Sequence, residues 1–204
     1  MVASDGGQHT VALEWYNQGL RTLGPVLQKE TRHVFTRLCV CCAYEERAKA
    51  LTHLGKPAEA MKEWEAAFPL ADRQKREALR AGRALTLVHL GQVDRAMEEI
   101  QGLKGTPADP EDATVYQSAC VFSLAAKAVF SDPVRPGPER DRQTESYAAR
   151  AVGLLEQVRT AGFFRVPLNV ERLKKDKDLN PLRARDDFKK LLSEAEAKAE
   201  PEPR

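Results

Sequence analysis

The sequence predicts an all-α protein, an α-α superhelix in which helical hairpins stack side by side and a C-terminal capping helix closes the stack. Three observations support this fold class. Ala, Leu, Glu, Arg and Lys dominate the 204 residues, and these are strong helix formers. Apolar side chains recur every three or four residues along most of the chain, which is the period of an amphipathic helix. Glycines and prolines separate these segments, as expected where helices begin or end.

The apolar pattern places the helices one by one. They are predicted over 11–29, 31–54, 57–71, 73–90, 93–103, 112–130, 144–161, 169–174 and 181–198. We expect Gly24-Pro25 to kink or split the first helix, because proline lacks an amide donor and crowds the preceding turn. We expect residues 1–10 and 199–204 to be disordered, as polar chain ends commonly are. Residues 105–110 are predicted to form a loop.

A short string occurs twice at a spacing typical of helical repeats. Leu-Gly-Lys-Pro-Ala-Glu-Ala at 54–60 corresponds to Leu-Gly-Gln-Val-Asp-Arg-Ala at 90–96, with the two glycines 36 residues apart. The tetratricopeptide (TPR) repeat has a period of about 34 residues and consists of a helical hairpin, which these strings resemble. Both glycines should end the first helix of a hairpin. The repeat-defining positions are Ala48, Gly55, Ala60, Trp64, Ala84, Gly91, Ala96, Ala119 and Ala148.

These positions predict a single TPR-like helical domain over 11–198. It contains regular repeats at 41–74 and 77–110, and a degenerate unit at 112–161 that an insertion at 131–142 interrupts. The region 162–198 should cap the stack, because Phe188, Leu191 and Leu192 give the last helix one apolar face. The alternative is an ordinary helical bundle with a chance pair of glycines.

Five further strings carry a closer resemblance. They are YQSACVFSLA at 116–125, YAARAVGLL at 147–155, AGFF at 161–164, LKKDKDLNPLR at 173–183 and DFKKLL at 187–192. In this order they resemble the TPR-like C-terminal region that follows the catalytic domain in many bacterial serine/threonine protein kinases. The sequence has no glycine-rich phosphate loop, His-Arg-Asp motif or Asp-Phe-Gly motif. The resemblance therefore implies a regulatory or docking module without kinase activity.

The four cysteines are expected to be reduced. Cys39, Cys41 and Cys42 lie close together on one predicted helix, whereas a disulfide framework would spread them out. We interpret Cys39 and Cys42 as small apolar packing residues, with a thiol-based redox switch and a metal site as alternatives. A redox pair usually lies at a helix start, and a zinc site needs two more ligands where only His33 is near. Cys120 is predicted to be buried. We predict no catalytic residue, metal or cofactor.

The TPR resemblance implies a partner groove on the concave side of the stack, which the first helices of the hairpins line. The candidate groove residues are Glu45, Lys49, Thr52, His53, Ala81, Leu85, Val88, His89, Tyr116 and Ser123. His53 and His89 occupy the same place in successive repeats. The alternative for this pair is that each imidazole interacts with the carbonyl groups at its helix C-terminus.

The predicted function is a scaffold or adaptor that binds a protein or peptide, and self-association into a homo-oligomer is left open. A regulatory domain detached from a kinase is the alternative, and a thiol switch is a minor one. The formal net charge of +2 and the scarcity of aromatic residues in the basic run 172–190 argue against nucleic-acid binding. No apolar run approaches the roughly 20 residues that span a bilayer. The polar first ten residues do not resemble a signal peptide, so we expect a cytoplasmic protein.

Overall fold

The computed structural model describes residues 3–103 and 113–198, with side chains from residue 8 onward, and all regular structure in these ranges is helical. The all-α prediction is confirmed for this part of the chain. The helices are α1 Ala3–Lys29, α2 Val34–His53, α3 Pro57–Ala67, α4 Arg73–His89, α5 Val93–Ile100, α6 Thr114–Phe130, α7 Gly137–Thr160, α8 Pro167–Lys175 and α9 Asp186–Lys198. Three 3₁₀ segments lie at Phe68–Leu70, Phe163–Arg165 and Lys177–Leu182. The predicted loop 105–110 and tail 199–204 lie outside the described residues.

The chain forms two compact units, Met1–Gln92 and Val93–Arg204. The division falls inside the predicted repeat 77–110, between α4 and α5. A stack running through 11–198 as one domain, and its superhelical form, therefore stay predictions. In the described residues, no helix combines the length and the apolar character needed to cross a bilayer.

In the first unit, α2 packs against α1, α3 and α4, and α3 packs against α4. The repeat-defining alanines of this unit, Ala48, Ala60 and Ala84, are fully buried, as small side chains at close helix contacts should be. Trp64 fills the space between these helices as the largest member of the core. The core cluster consists of Cys41, Ala48, Leu51, Ala60, Trp64, Ala67, Ala71 and Leu79.

The two repeat glycines end helices, as predicted. Gly55 and Gly91 have φ angles of 73° and 74°, in the left-handed region that glycine tolerates without steric penalty. After α2, the N–H of Lys56 donates to the Leu51 carbonyl at 2.9 Å, and the N–H of Gly55 donates to the Thr52 carbonyl at 3.0 Å. This bond pair defines a Schellman motif. The same pair follows α4, where the N–H of Gln92 donates to Leu87 at 2.9 Å.

The beginning of the chain differs from the prediction. Helix α1 starts at Ala3, so disorder over residues 1–10 is wrong for the described residues 3–10. Tertiary contacts account for the difference, since α1 packs along α2 and the His9 ring stacks on the His53 ring with centroids 4.9 Å apart. Pro25 lies inside α1 and does not end it. Packing along a partner helix thus outweighs the local preference of the sequence.

In the second unit, α6 and α7 pack along each other, α5 packs against α6, and α9 packs against α7 and α8. The polar break after α6 is shorter than the predicted insertion at 131–142, because α7 begins at Gly137. Pro138 stands in the first turn of α7, where its fixed φ suits the helix and its missing N–H is not needed.

The last helix begins later in the chain than predicted. Pro181 was expected to start the last helix, but it lies inside the 3₁₀ segment Lys177–Leu182, and α9 starts at Asp186. Asp176 explains this, because its carboxylate accepts the N–H of Asp178 at 3.0 Å and caps the 3₁₀ segment. The apolar face of α9 is directed inward, with Phe188 and Leu191 buried.

Candidate functional site

Glu45, the first predicted groove residue, is a buried anion. It is 4% exposed, lies 2.9 Å from the Lys49 ammonium and forms a short ion pair with Lys75 of α4. Burial alone would raise the pKa of Glu45, but the attraction of Lys49 and the hydrogen bond from Lys75 outweigh it and lower the pKa. The pKa of Lys49 is raised because Glu45 and Glu46 outweigh the effect of burial. These charges link α2 to α4.

Thr52 belongs to a buried chain of polar groups. Its hydroxyl donates to the Ala48 carbonyl at 2.9 Å and lies 2.9 Å from the Thr86 hydroxyl. The Thr86 oxygen accepts the Trp64 indole N–H at 2.8 Å. Beside it, Gly82 leaves room for the indole ring, because a Cβ at that position would lie 2.8 Å from Trp64 Cζ2. The chain Thr52–Thr86–Trp64 therefore links α2, α4 and α3, with Thr86 at its centre.

The remaining candidate groove residues of the first unit differ in how exposed they are to solvent. Ala81 and Val88 are buried, and Leu85 is half-buried. His53 and His89 are exposed, and each interacts with another residue. An open groove over these positions would thus reach the two histidines and Leu85, but not Ala81 or Val88.

Tyr116 and Ser123 do not line an open groove, because both are fully buried. The Tyr116 ring stacks on Phe163 with centroids 5.6 Å apart, and the Arg172 guanidinium lies 4.4 Å above the ring. The Tyr116 hydroxyl donates to Asp176 at 3.0 Å. The capping region therefore occupies the face of α6 on which the sequence suggested a partner.

Cys120, Asp176 and Asp178 bring a thiol and two carboxylates within 4.8 Å of one another. Asp176 already accepts hydrogen bonds from Tyr116 and from the N–H of Asp178. Burial raises the pKa of the Cys120 thiol, which disfavours the thiolate that would bind a metal. The three groups have a structural role, fixing the 3₁₀ segment against α6.

All four cysteines are free thiols. Cys41 is buried and its thiol lies 3.6 Å from the Ala67 carbonyl. Burial raises the pKa of Cys41 to about 11 and raises the pKa of Cys42, for which Lys75 opposes part of the effect. Cys39 and Cys42, the pair of the redox-switch alternative, are both half-buried. A redox switch needs accessible thiolate at neutral pH, and the alternative stays a prediction.

The second unit contains an open groove between α5, α6 and α7, which we call the α5–α7 groove. Its volume is about 770 Å³. Three short helical faces form it, with side chains at i, i+3 or i+4 and i+7 spacing. They are Asp94, Met97, Glu98, Ile100, Gln101, Gly102 and Leu103 from α5 and the residues after it, Thr114, Val115, Ser118 and Phe122 from α6, and Tyr147, Arg150, Leu154 and Gln157 from α7.

The α5–α7 groove has an apolar floor and charged rims. Phe122 and Tyr147 are tilted against each other, with ring centroids 5.8 Å apart. On one rim Asp94 presents a side chain that is 87% exposed, and on the other Arg150 is exposed. The arrangement can hold an apolar side chain and pair with charges of both signs at its edges.

The α5–α7 groove was not predicted from the sequence, although α7 carries a signal for it. The helical spacing of four lining residues is that signal, but the α6–α7 unit was assigned to repeat packing. These residues are Tyr147, Arg150, Leu154 and Gln157. Comparisons of the chain with protein-family models, with curated proteins and with solved structures each found no match. The functional interpretation consequently depends on the geometry of the chain itself.

Proposed function

We propose that this chain is a non-catalytic interaction module that binds a peptide segment of a partner protein in the α5–α7 groove. The observation that carries the proposal is the groove itself, about 770 Å³ in volume, with an apolar floor and charged rims. Binding sites are typically concave, mostly apolar and furnished with a few polar groups, with volumes of roughly 300–1,000 Å³.

The rims specify the kind of peptide. Asp94 and Glu98 lie on the α5 side, and Arg150 is the cation of the α7 side. A complementary segment carries an apolar side chain for the floor near Phe122, a basic residue towards α5 and an acidic residue towards α7. Rim charges of this kind contribute mainly orientation and specificity, while the buried apolar anchor contributes most of the affinity.

Selection from a phage-displayed random peptide library, with the full chain as bait, tests this proposal. We expect enriched peptides with a basic–apolar–acidic pattern. Their dissociation constants, measured by fluorescence anisotropy, should rise about tenfold for the Asp94→Lys, Arg150→Glu double variant. Arg142→Glu is the matched control, because Arg142 is exposed on the same helix and outside the groove.

Two outcomes would contradict the proposal. Either no peptide is enriched over an empty support, or enriched peptides bind the double variant and the wild-type chain equally well. A charge-swapped peptide, with its acidic and basic residues exchanged, should regain affinity for the double variant. That recovery would show that the groove rims, rather than another surface, contact the peptide.

We retain three sequence-based hypotheses as proposals beside this one. They are a TPR-type scaffold, a regulatory domain related to kinase-associated TPR regions and a cytoplasmic location. An interaction groove is compatible with each. A kinase domain adjoining this chain in the same reading frame would favour the second.

A further inference from the structure

A second recess, which we call the α6–α7 recess, lies in the second unit and shares no residue with the α5–α7 groove. Its volume is about 510 Å³. It lies between the C-terminal half of α6, the first half of α7, the 3₁₀ segment Lys177–Leu182 and the residue just before α9. The lining residues are Leu124, Ala126, Lys127, Phe130, Thr144, Glu145, Ala148, Lys177, Asn180, Pro181 and Arg185.

Apolar side chains form much of the lining. Phe130, in the last turn of α6, is 62% exposed, and Leu124 and Pro181 are half-buried. An exposed aromatic ring at the edge of a concave, largely apolar surface is a common feature of a protein interaction site. Thus the recess offers a place for one apolar side chain of a ligand.

The charged residues of the recess differ in whether they have ion-pair partners. Arg185 donates to both carboxylate oxygens of Glu145, at 2.6 and 2.9 Å, and also pairs with Asp187 at 2.8 Å, so two carboxylates more than balance its charge. Lys127 and Lys177 are exposed, and neither ammonium group has a hydrogen-bond or ion-pair partner among the described residues. These two lysines are therefore the cations of the recess that are available to pair with a ligand.

A hydroxyl group in the lining also lacks a partner. Thr144 Oγ1 is buried and forms no hydrogen bond with the described residues. Most buried polar groups in folded proteins are hydrogen-bonded, so this hydroxyl is an exception. Because its oxygen is itself enclosed, the exposed ammonium groups of Lys127 and Lys177 are the polar groups that a ligand in the recess can reach, and a carboxylate is the acceptor that suits them.

We propose that the α6–α7 recess binds an acidic peptide segment of a partner protein, with one apolar side chain against Phe130 and carboxylates paired to Lys127 and Lys177. Charge complementarity identifies the acidic character, and the apolar wall identifies the anchor. This inference is independent of the α5–α7 groove, whose rims carry charges of both signs.

The test uses the full chain and three fluorescein-labelled synthetic peptides. One contains aspartates and glutamates around a single phenylalanine, the second has lysines at the acidic positions, and the third has alanine for the phenylalanine. Fluorescence anisotropy should show the acidic peptide binding about tenfold more tightly than either comparator. Its affinity should fall as salt is raised, because exposed charge pairs are screened.

Variants then locate the site. The Lys127→Glu, Lys177→Glu double variant should bind the acidic peptide about tenfold more weakly and should gain affinity for the basic peptide. Phe130→Ala should also weaken binding. Lys62→Glu is the matched control, since Lys62 is likewise exposed, has no partner among the described residues and lies in the first unit. All substituted side chains are exposed, and circular dichroism would confirm that the variants remain folded.

The proposal would be overturned if the acidic and basic peptides bound equally, or if the double lysine variant kept wild-type affinity for the acidic peptide. It would also fail if the Asp94→Lys, Arg150→Glu variant abolished binding of the acidic peptide, because the peptide would then occupy the α5–α7 groove. In that last case the proposed function would stand while this further site would not.

Discussion

Removal of the Thr86 hydroxyl by Thr86→Val tests the buried polar chain that joins three helices of the first unit. Valine has nearly the shape of threonine, so the packing of α4 is retained. The Trp64 N–H, which now donates to Thr86 at 2.8 Å, loses its acceptor. Since Trp64 is 1% exposed, water cannot readily take the place of the hydroxyl.

The magnitude follows from the number of groups left without partners. A buried donor that loses its acceptor destabilises a protein by about 1–3 kcal/mol. Thr52 keeps its bond to the Ala48 carbonyl, so the indole N–H is the single orphan. We therefore expect the free energy of unfolding of the first unit to fall by about 2 kcal/mol. At about 4–8 °C per kcal/mol for a unit of this size, the midpoint should fall by about 8–16 °C.

Urea unfolding followed by tryptophan fluorescence measures this change. Trp15, which is 68% exposed, is replaced by phenylalanine so that Trp64 is the reporter. Thr22→Val in the same background is the matched control, because the Thr22 hydroxyl is exposed and bonds to the Gln18 carbonyl at 3.1 Å. The control should change stability by less than about 0.5 kcal/mol.

A double-mutant cycle with Trp64→Phe isolates the hydrogen bond, because phenylalanine keeps an aromatic ring and lacks the N–H. Since that variant lacks the fluorescent reporter, urea unfolding of all four proteins of the cycle is followed by far-UV circular dichroism. The two substitutions should be coupled by about 1 kcal/mol or more. Fully additive effects, or a Thr86→Val variant as stable as its parent, would refute the reasoning.

The remaining predictions concern the same unit and the two binding surfaces. Gly82→Ala should destabilise the fold by about 1–3 kcal/mol, because the new Cβ overlaps the Trp64 ring, whereas Gly19→Ala, with nothing within 4 Å, should be neutral or stabilising in thermal unfolding. Glu45→Gln should cost about 1–3 kcal/mol at pH 7, because it removes the charge that pairs with the partly exposed Lys49 and Lys75. Because the folded pKa of Glu45 is lowered, this difference should be complete above about pH 5 and should shrink as pH falls through the lower folded pKa. Urea titrations of both proteins across this range would show it, and a pH-independent difference would contradict it. The charge-reversal variants of the α5–α7 groove and the α6–α7 recess should each weaken one peptide class and spare the other, as measured by fluorescence anisotropy.

Features that depend on local chemistry were predictable from the sequence. Gly55 and Gly91 end helices because the residue that completes the Schellman bonds must adopt a positive φ. Glycine is the residue that does so most easily, so a glycine after an apolar helical pattern predicts the helix end. Trp64 and the alanines that surround it are buried because their helical spacing assigns them to an inward face. The boundaries of α2, α4 and α6 agree with prediction to within a few residues for the same reason.

Features that depend on distant parts of the chain were not predictable in this way. The TPR resemblance placed Tyr116 in an open groove on α6, but Phe163 and Arg172 from the capping region cover it. The start of α9 was misplaced because Asn180-Pro181 has the local form of a helix start, while Asp176 and buried contacts hold that segment in a 3₁₀ turn. Which face of α6 remains open, and hence where the groove lies, follows from these long-range contacts.

Peptide binding in the α5–α7 groove can be measured with a single library-selected peptide. The measurement is the dissociation constant for the wild-type chain and for the Asp94→Lys, Arg150→Glu variant, with Arg142→Glu alongside. We predict a rise of about tenfold for the double variant and no change for the control. Equal dissociation constants for all three proteins would mean that the peptide does not bind in the α5–α7 groove.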